Sequence, residues 1–371
     1  MPRLTFSTAG ESHGACLVTL IEGLPAGLDV PFERANDMLR RRQGGYGRGG
    51  RQKIERDEIE ILSGVLRGRT IGSPLALRIP NRDHRIDEAP PLHRPRPGHA
   101  DLAGAVKWET DDCRPVLERA SARETAARTA AGAFGAALLT EFGIEVAGFV
   151  TELGDVASEV DSDLPLAELV ARRDASDVYC PDPRAEDAMK AAVDAARRDG
   201  DTLGGIFEVR ATGLPIGLGS CFRREDRLDA RLAAAIVGIQ AVKGVEIGHA
   251  FDVARRRGSA AHDEILPGEG SRFRRASNHA GGLEGGMTNG ETLIVRAAKK
   301  PISTLGRRLR SVDLRTGDAE DAAYERSDIC ALPAASVIGE AVVAFELAAA
   351  FLETFGADTL AETRRRFEAG R

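Results

Sequence analysis

Residues 182–212 read DPRAEDAMKAAVDAARRDGDTLGGIFEVRAT. The first part carries helix punctuation: Asp182 as N-cap, Pro183 at the first helical position, where its missing N–H costs nothing, and Gly200 just past the end. GIFEVRAT at 205–212 is rich in β-branched and aromatic side chains and reads as a strand. Working outward, strands are predicted at 15–22, 58–65, 75–80, 144–153 and 292–298, and amphipathic helices at about 32–42, 122–142, 228–243 and 335–354. The order does not alternate as a doubly wound parallel sheet requires. The expectation is an α+β protein with helices layered against antiparallel sheets. No Pro/Ser linker, charged low-complexity run or visible repeat divides residues 1–371, which are read as a single domain.

Composition bounds the function. The 371 residues are 42% hydrophobic and 29% charged, as in a folded globular chain. Lys plus Arg number 51 against 57 Asp plus Glu, a net charge of -6, which excludes nucleic-acid binding that rests on overall positive charge. The basic residues are mostly Arg, whose planar fork of donors fits carboxylate and phosphate. Cys16, Cys113, Cys180, Cys221 and Cys330 are odd in number and scattered, and read as free thiols in a reducing compartment. The N-terminus has no signal-peptide core, and no run is read as reaching the roughly 18 apolar residues of a membrane span. A cytoplasmic protein without a membrane partner is expected.

Three loops are rich in glycine: GGYGRGGR at 44–51, GDTLGG at 200–205 and NHAGGLEGGMTNG at 278–290. Glycine lets backbone close on a ligand, although plain turns use it too. Arg40, Arg41, Arg42, Arg48 and Arg51 surround the first loop, which suits capture of phosphate or carboxylate by forked hydrogen bonds. The same loop, with its interleaved Tyr46, also suits single-stranded RNA, or a solvated surface. HRPRPGHAD at 93–101 places Arg94, Arg96, His99 and Asp101 in a proline-stiffened loop, as a positioned acid or base requires. Glu11 with His13, His99 with Asp101, and His262 with Asp263 all lack the i, i+4 spacing of a helical zinc motif, so no metal is expected. Ser121 and Glu124 have the spacing of a capping box before an Ala-rich helix, whose start offers N–H groups to an anion between Arg119 and Arg123. These residues describe an enzyme that holds a multiply anionic, phosphorylated small molecule among arginines, with His13 and His99 as acid-base groups.

In order along the chain, GESHG (10–14), GYGRGGR (45–51), RPGHADL (96–102), RASARETAAR (119–128), GDTLGG (200–205), AVKGVEIG (241–248), HDEI (262–265), NHAGGLEGG (278–286), KPIST (300–304) and RSDICALPAA (326–335) resemble the chorismate synthase family. The resemblance implies a β-α-β sandwich with internal pseudo-symmetry, assembled as a homotetramer. It implies the last step of the shikimate pathway, conversion of 5-enolpyruvylshikimate 3-phosphate to chorismate and phosphate by an anti-1,4-elimination that needs reduced FMN. NADPH or an outside source would supply the electrons; no G-x-G-x-x-G follows a strand, which favours the outside source. Residue by residue, His13 is implied as proton donor to the departing phosphate, His99 as donor to reduced flavin and Asp328 as the acid near the flavin, supported by Ser12 and Ser121. Arg42, Arg48, Arg96, Arg123 and Arg326 are implied substrate contacts. Arg119, Ala120, Ser121, Gln240, Ala241, Gly285, Lys300, Pro301, Ile302, Ser303, Thr304 and Arg326 are implied flavin contacts. Trp108, Cys113 and Thr288 depart from the family pattern without touching an acid-base residue. The alternatives are another flavin-dependent oxidoreductase acting on a phosphorylated substrate, and a non-enzymatic RNA-binding module.

Overall fold

The computed structural model describes residues 3–50, 54–268, 273–325 and 327–370. Arg51 and Arg326, singled out above, lie outside the described residues. Strands β1 (Thr5–Ala9), β2 (Cys16–Glu22), β3 (Glu60–Ile61) and β4 (Leu75–Pro80) form an antiparallel sheet in the order β1-β2-β4-β3. Helix α1 (Phe32–Gln43) runs between β2 and β3, and short helices α2 (Asp101–Lys107) and α3 (Arg114–Ala120) lead into α4 (Thr125–Thr140). There follow β5 (Glu145–Leu153), β6 (Val156–Ala157), α5 (Leu166–Asp174), α6 (Pro183–Arg198), β7 (Gly205–Thr212), α7 (Leu228–Val237), β8 (Val242–Ile247) and β9 (Leu293–Lys299). These strands make a second antiparallel sheet, ordered β8-β9-β7-β5-β6. The chain ends in α8 (Leu332–Phe355) and α9 (Leu360–Ala369).

Burial explains the layers. Helix α6 buries one stripe, Ala185, Met189, Val193 and Ala196, as a surface helix does. Helices α4 and α8 are buried on almost every side, because α4 lies on β1, β2 and β4, α8 lies on β5 and β7, and the two pack on each other. The result is a β-α-β sandwich, in keeping with the α+β expectation. Glycines set the helix spacing: a Cβ on Gly132 would come 2.4 Å from the Ala341 carbonyl oxygen, and one on Gly135 2.8 Å from Phe345 Cα. Further along, the Phe142 and Phe351 rings lie 4.4 Å apart. Residue numbers rise together along this contact. The two helices are therefore parallel, with both N-termini at one end.

The connectivity repeats. The series β1, β2, α1, β3, β4, α4 matches β5, β7, α7, β8, β9, α8, and the sheet order β1-β2-β4-β3 matches β5-β7-β9-β8. Helix α1 packs on α4 as α7 packs on α8. The sequence hides this repeat because α2 and α3 are inserted in one half and α5 and α6 in the other, at different points.

Three expectations need correction. The 58–65 strand shrinks to Glu60–Ile61, and β1 was not foreseen. The 228–243 helix stops at Val237: Gly238 follows, and Ala241, at φ +69, turns the chain into β8. Finally, 332–355 is long and apolar enough to cross a membrane by length and composition, contrary to the reading above; here it is the buried central helix α8.

Candidate active site

Where the N-terminal ends of α4 and α8 meet the surrounding loops, a cavity of about 580 Å³ opens. Ser12 and His13 reach it from the loop after β1, Arg42 from the end of α1, Arg48 from the glycine loop, and Arg96 and His99 from the proline-stiffened loop. Ala120, Ser121 and Arg123 enter before α4, Gln240 and Ala241 before β8, and Lys300, Ile302, Ser303 and Thr304 after β9. Asp328 stands just ahead of α8.

The loop bearing His13 is pinned. Gly10, at φ +107, lies so close to β2 that a Cβ would sit 2.3 Å from the Cys16 carbonyl oxygen, and Asn81 Nδ2 donates to the Gly14 carbonyl at 2.7 Å. His13 Nδ1 lies 3.0 Å from both Glu118 oxygens, and the His13 backbone N–H donates to Glu118 Oε2 at 2.8 Å. Burial would push the Glu118 carboxyl up, but the hydrogen bonds and charge of His13 and the nearby Arg114 hold it below its usual range. An ionised acceptor opposite Nδ1 places the ring hydrogen there and leaves Nε2 for chemistry.

His99 has the same arrangement. Its Nδ1 is 2.5 Å from Asp101 Oδ1, and the Asp101 side chain has no exposed surface. Arg96 clasps that carboxylate with Nε at 2.8 Å and Nη2 at 3.0 Å, and donates through Nη1 to Thr304 Oγ1 at 3.0 Å. Arg96 Nη2 also lies 3.1 Å from His99 Nδ1. One nitrogen cannot both donate to Asp101 and accept from Arg96; the shorter, charge-assisted contact decides for donation to Asp101.

The remaining arginines are held by carboxylates, buried in the case of Asp57 and partly buried in that of Asp328. Arg123 Nη1 sits 2.6 and 2.7 Å from the Asp57 oxygens, and its Nε donates to Asn81 Oδ1 at 2.9 Å. Arg42 donates to Thr125 Oγ1 at 3.0 Å and the Ala122 carbonyl at 2.9 Å, with Asp57 at 3.3 Å. Arg48 Nη1 and the Gly49 N–H each donate to Asp328 at 2.6 Å. Asp328 is thus both half of an ion pair and part of the cavity wall. Among the described residues, Arg48 Nε, Arg123 Nη2 and Gln240 Oε1 are buried without a hydrogen-bond partner, although Arg123 Nη2 lies 3.8 Å from Glu55 Oε2. Buried polar atoms are rarely left so, and here two donors and one acceptor border a cavity that a polar, anionic ligand would complete.

Not every expected residue arrives. Arg119 points away, donating to the Thr8 carbonyl at 3.3 Å. Pro301 is exposed, and Gly285 turns a hairpin beside Arg227; neither lines the cavity of this single chain. The capping box does not form: the Ser121 hydroxyl caps a 3-10 turn by accepting from the Arg123 N–H, while Glu124 engages Thr8, Arg128 and Gln240 instead. Arg123 itself is buried rather than facing solvent. Glu55, Asp57, Glu118 and Lys299 were missed; only Lys299, a charge on the inner face of an apolar strand, left a sequence signal.

The family model of chorismate synthase matches residues 4–352. Chorismate synthases of Rubrobacter xylanophilus and Geobacter sulfurreducens are 56% and 55% identical to this chain, covering 99% and 98% of it and 96% and 98% of their own lengths. A crystal structure of chorismate synthase matches with a TM-score of 0.83 at 42% identity, covering 100% of this chain and 98% of that one. With these matches, the sandwich and its cavity are those of a lyase that eliminates phosphate. The chain belongs to the chorismate synthase family. Neither the oxidoreductase nor the RNA-binding alternative gains support, and Arg48, central to the RNA reading, is turned inward onto Asp328.

Proposed function

We propose that this chain converts 5-enolpyruvylshikimate 3-phosphate to chorismate and phosphate by an anti-1,4-elimination that needs reduced FMN. The observation that carries the reading is the pair of histidines, each tied through Nδ1 to a buried carboxylate, facing one arginine-lined cavity. Arg42, Arg48, Arg96 and Arg123, together with Arg326, hold the phosphate and the two carboxylates of the substrate. Their fixed orientation means little rearrangement is needed when charge develops on the leaving group. His13 gives a proton from Nε2 to the departing phosphate, and Glu118 stabilises the cation before transfer. Ser12 and Ser121, 3.1 Å apart through their hydroxyls, steady the loop beside it.

Gln240, Ala241, Lys300 and Ile302 to Thr304 would hold the flavin, with Ala120 and Ser121; the unpartnered Gln240 Oε1 suits a ring N–H. When bound there, reduced FMN would supply transient electron density to the substrate, without net redox change. His99, fixed by Asp101, would hold a proton towards the flavin, and Asp328, in the cavity wall, would assist the flavin region in taking up the substrate proton. Gly285, Pro301 and Arg119 keep a place in this reading only as flavin contacts made outside the wall of one chain, in the homotetramer. NADPH or an outside reductant supplies the electrons, and the bacterial cytoplasm, home of such biosynthetic enzymes, is the compartment.

Anaerobic protein with chemically reduced FMN should release phosphate from 5-enolpyruvylshikimate 3-phosphate. His13→Ala and His99→Ala should each lose roughly 100- to 10,000-fold in rate. Equal rates with and without reduced flavin would overturn the reaction, and full activity of both variants would overturn the assigned roles.

A further inference from the structure

Strand β9 reads LIVRAAK, and its alternate residues Leu293, Val295 and Ala297 belong to the core. Lys299 is next in that row, so strand alternation puts a lysine on the inner face, and it is only 9% exposed. Its cross-strand neighbours are Gly205, which has no side chain, and the apolar Val242. Burying an ammonium in such company is unfavourable unless an opposite charge compensates.

The row ends at the cavity, which Lys299 lines. The charged and titratable groups around it are Arg48, Asp328, Cys330 and Lys300. Two of these are cations, Asp328 is already engaged by Arg48 and the Gly49 N–H, and burial pushes the Cys330 thiol up. Among the described residues, Lys299 makes no side-chain hydrogen bond or ion pair. The other cations of the wall have protein partners: Arg42 and Arg123 on Asp57, Arg96 on Asp101, and Lys300 on the Gly98 carbonyl.

We propose that Lys299 is a further anion-binding residue of this cavity, whose ammonium meets a phosphate or carboxylate oxygen of the bound ligand. The inference rests on the cavity being the site of an anionic substrate and flavin. Burial lowers the ammonium's pKa from 10.5 to about 8, so its charge is present at neutral pH and lost in mild alkali. The folded value lies below the unfolded one. The unfolded chain therefore binds more protons between those values, and the stability contributed by this group rises with pH across them. A residue that costs stability at neutral pH yet lines a binding cavity is one kept for its ligand.

Calorimetric titration of 5-enolpyruvylshikimate 3-phosphate and, separately, of FMN into wild type, Lys299→Met and Lys299→Arg at neutral and alkaline pH tests this. Lys299→Met should weaken the ligand whose oxyanion meets the ammonium by about ten-fold and abolish the alkaline loss of affinity seen in the wild type. Lys299→Arg should bind well at both pH values. The thermal midpoint of Lys299→Met at neutral pH should rise. Unchanged affinities for both ligands, or a lowered midpoint marking a structural cation, would overturn the proposal. Independently of any variant, pyridoxal 5'-phosphate followed by borohydride should label Lys299, with protection by substrate; no label there also overturns it. Anion binding that depends on Lys299, in a protein that releases no phosphate with reduced FMN, would sink the proposed activity and leave this inference standing.

Discussion

Asp101 accepts from Nε and Nη2 of the Arg96 guanidinium, from the Arg96 backbone N–H and from His99. Burial alone would raise its pKa; the hydrogen bonds from His99 and Arg96 outweigh burial and hold the carboxyl well below its usual range. For a carboxyl depressed in this way, the stabilising contribution is full above the unfolded value of 3.8 and is lost as pH falls through the folded one. Asp101→Asn should therefore lose about 3 kcal/mol at neutral pH, because a buried guanidinium is left without its counter-charge. The deficit against wild type should narrow only below about pH 4, as denaturant titrations across pH would show. A deficit that does not vary with pH would mean that packing, not charge, holds Arg96. At this scale the sequence was legible where cavity residues sit in short motifs: His13, His99, Asp328, Arg42, Arg48, Arg96 and Arg123 were all nameable, whereas Arg85 was not. Glu118 was not, because its pairing with His13 spans 105 residues and is made only by the fold.

The element scale turns on helix contacts. Ala is the better helix former than Gly by about 1 kcal/mol, so Gly132→Ala would stabilise an isolated α4. In the protein the new Cβ meets the backbone of Ala341 at 2.4 Å, and backbone cannot rotate away as a side chain can. Overpacking of this kind costs about 1–3 kcal/mol or more, so Gly132→Ala should be net destabilising by about 1–2 kcal/mol. A variant more stable than wild type in denaturant would show that α4 and α8 can separate freely. Helix interiors were legible from periodicity and punctuation, as Asp182, Pro183 and Gly200 illustrate for α6. The end of α7 was not: the apolar pattern runs on into β8, and the turn from Gly238 to Ala241, with its positive φ, separates helix from strand. The short strands β1 and β3 take their form from pairing with β2 and β4, which no local pattern reports.

At the scale of the whole molecule, the repeated connectivity explains why the cavity lies where it does. Equivalent helices from the two halves begin side by side, and the loops that precede them carry Ser121, Arg123 and Asp328. That symmetry was invisible in the sequence because unequal insertions destroy any fixed period. Charge follows the same geometry. The chain is negative overall, at -6, but its cavity is ringed by cations, so substrate association should slow as ionic strength rises, and Arg48→Ala should flatten that dependence in stopped-flow binding. An association rate indifferent to salt would refute electrostatic guidance.

Because α4 and α8 are parallel, their backbone dipoles add instead of cancelling, with the positive ends together at the cavity. At the far end, Arg364 donates to the Glu141 carbonyl at 3.1 Å and Arg366 to the Gly356 carbonyl at 2.6 Å, so helix α9 supplies positive charge to both exposed C-termini. The protein thus has a built-in electrical polarity along the axis of its helix pair. A ligand with unevenly distributed negative charge that enters the cavity is therefore favoured in one orientation, with its most highly charged group against the paired N-termini.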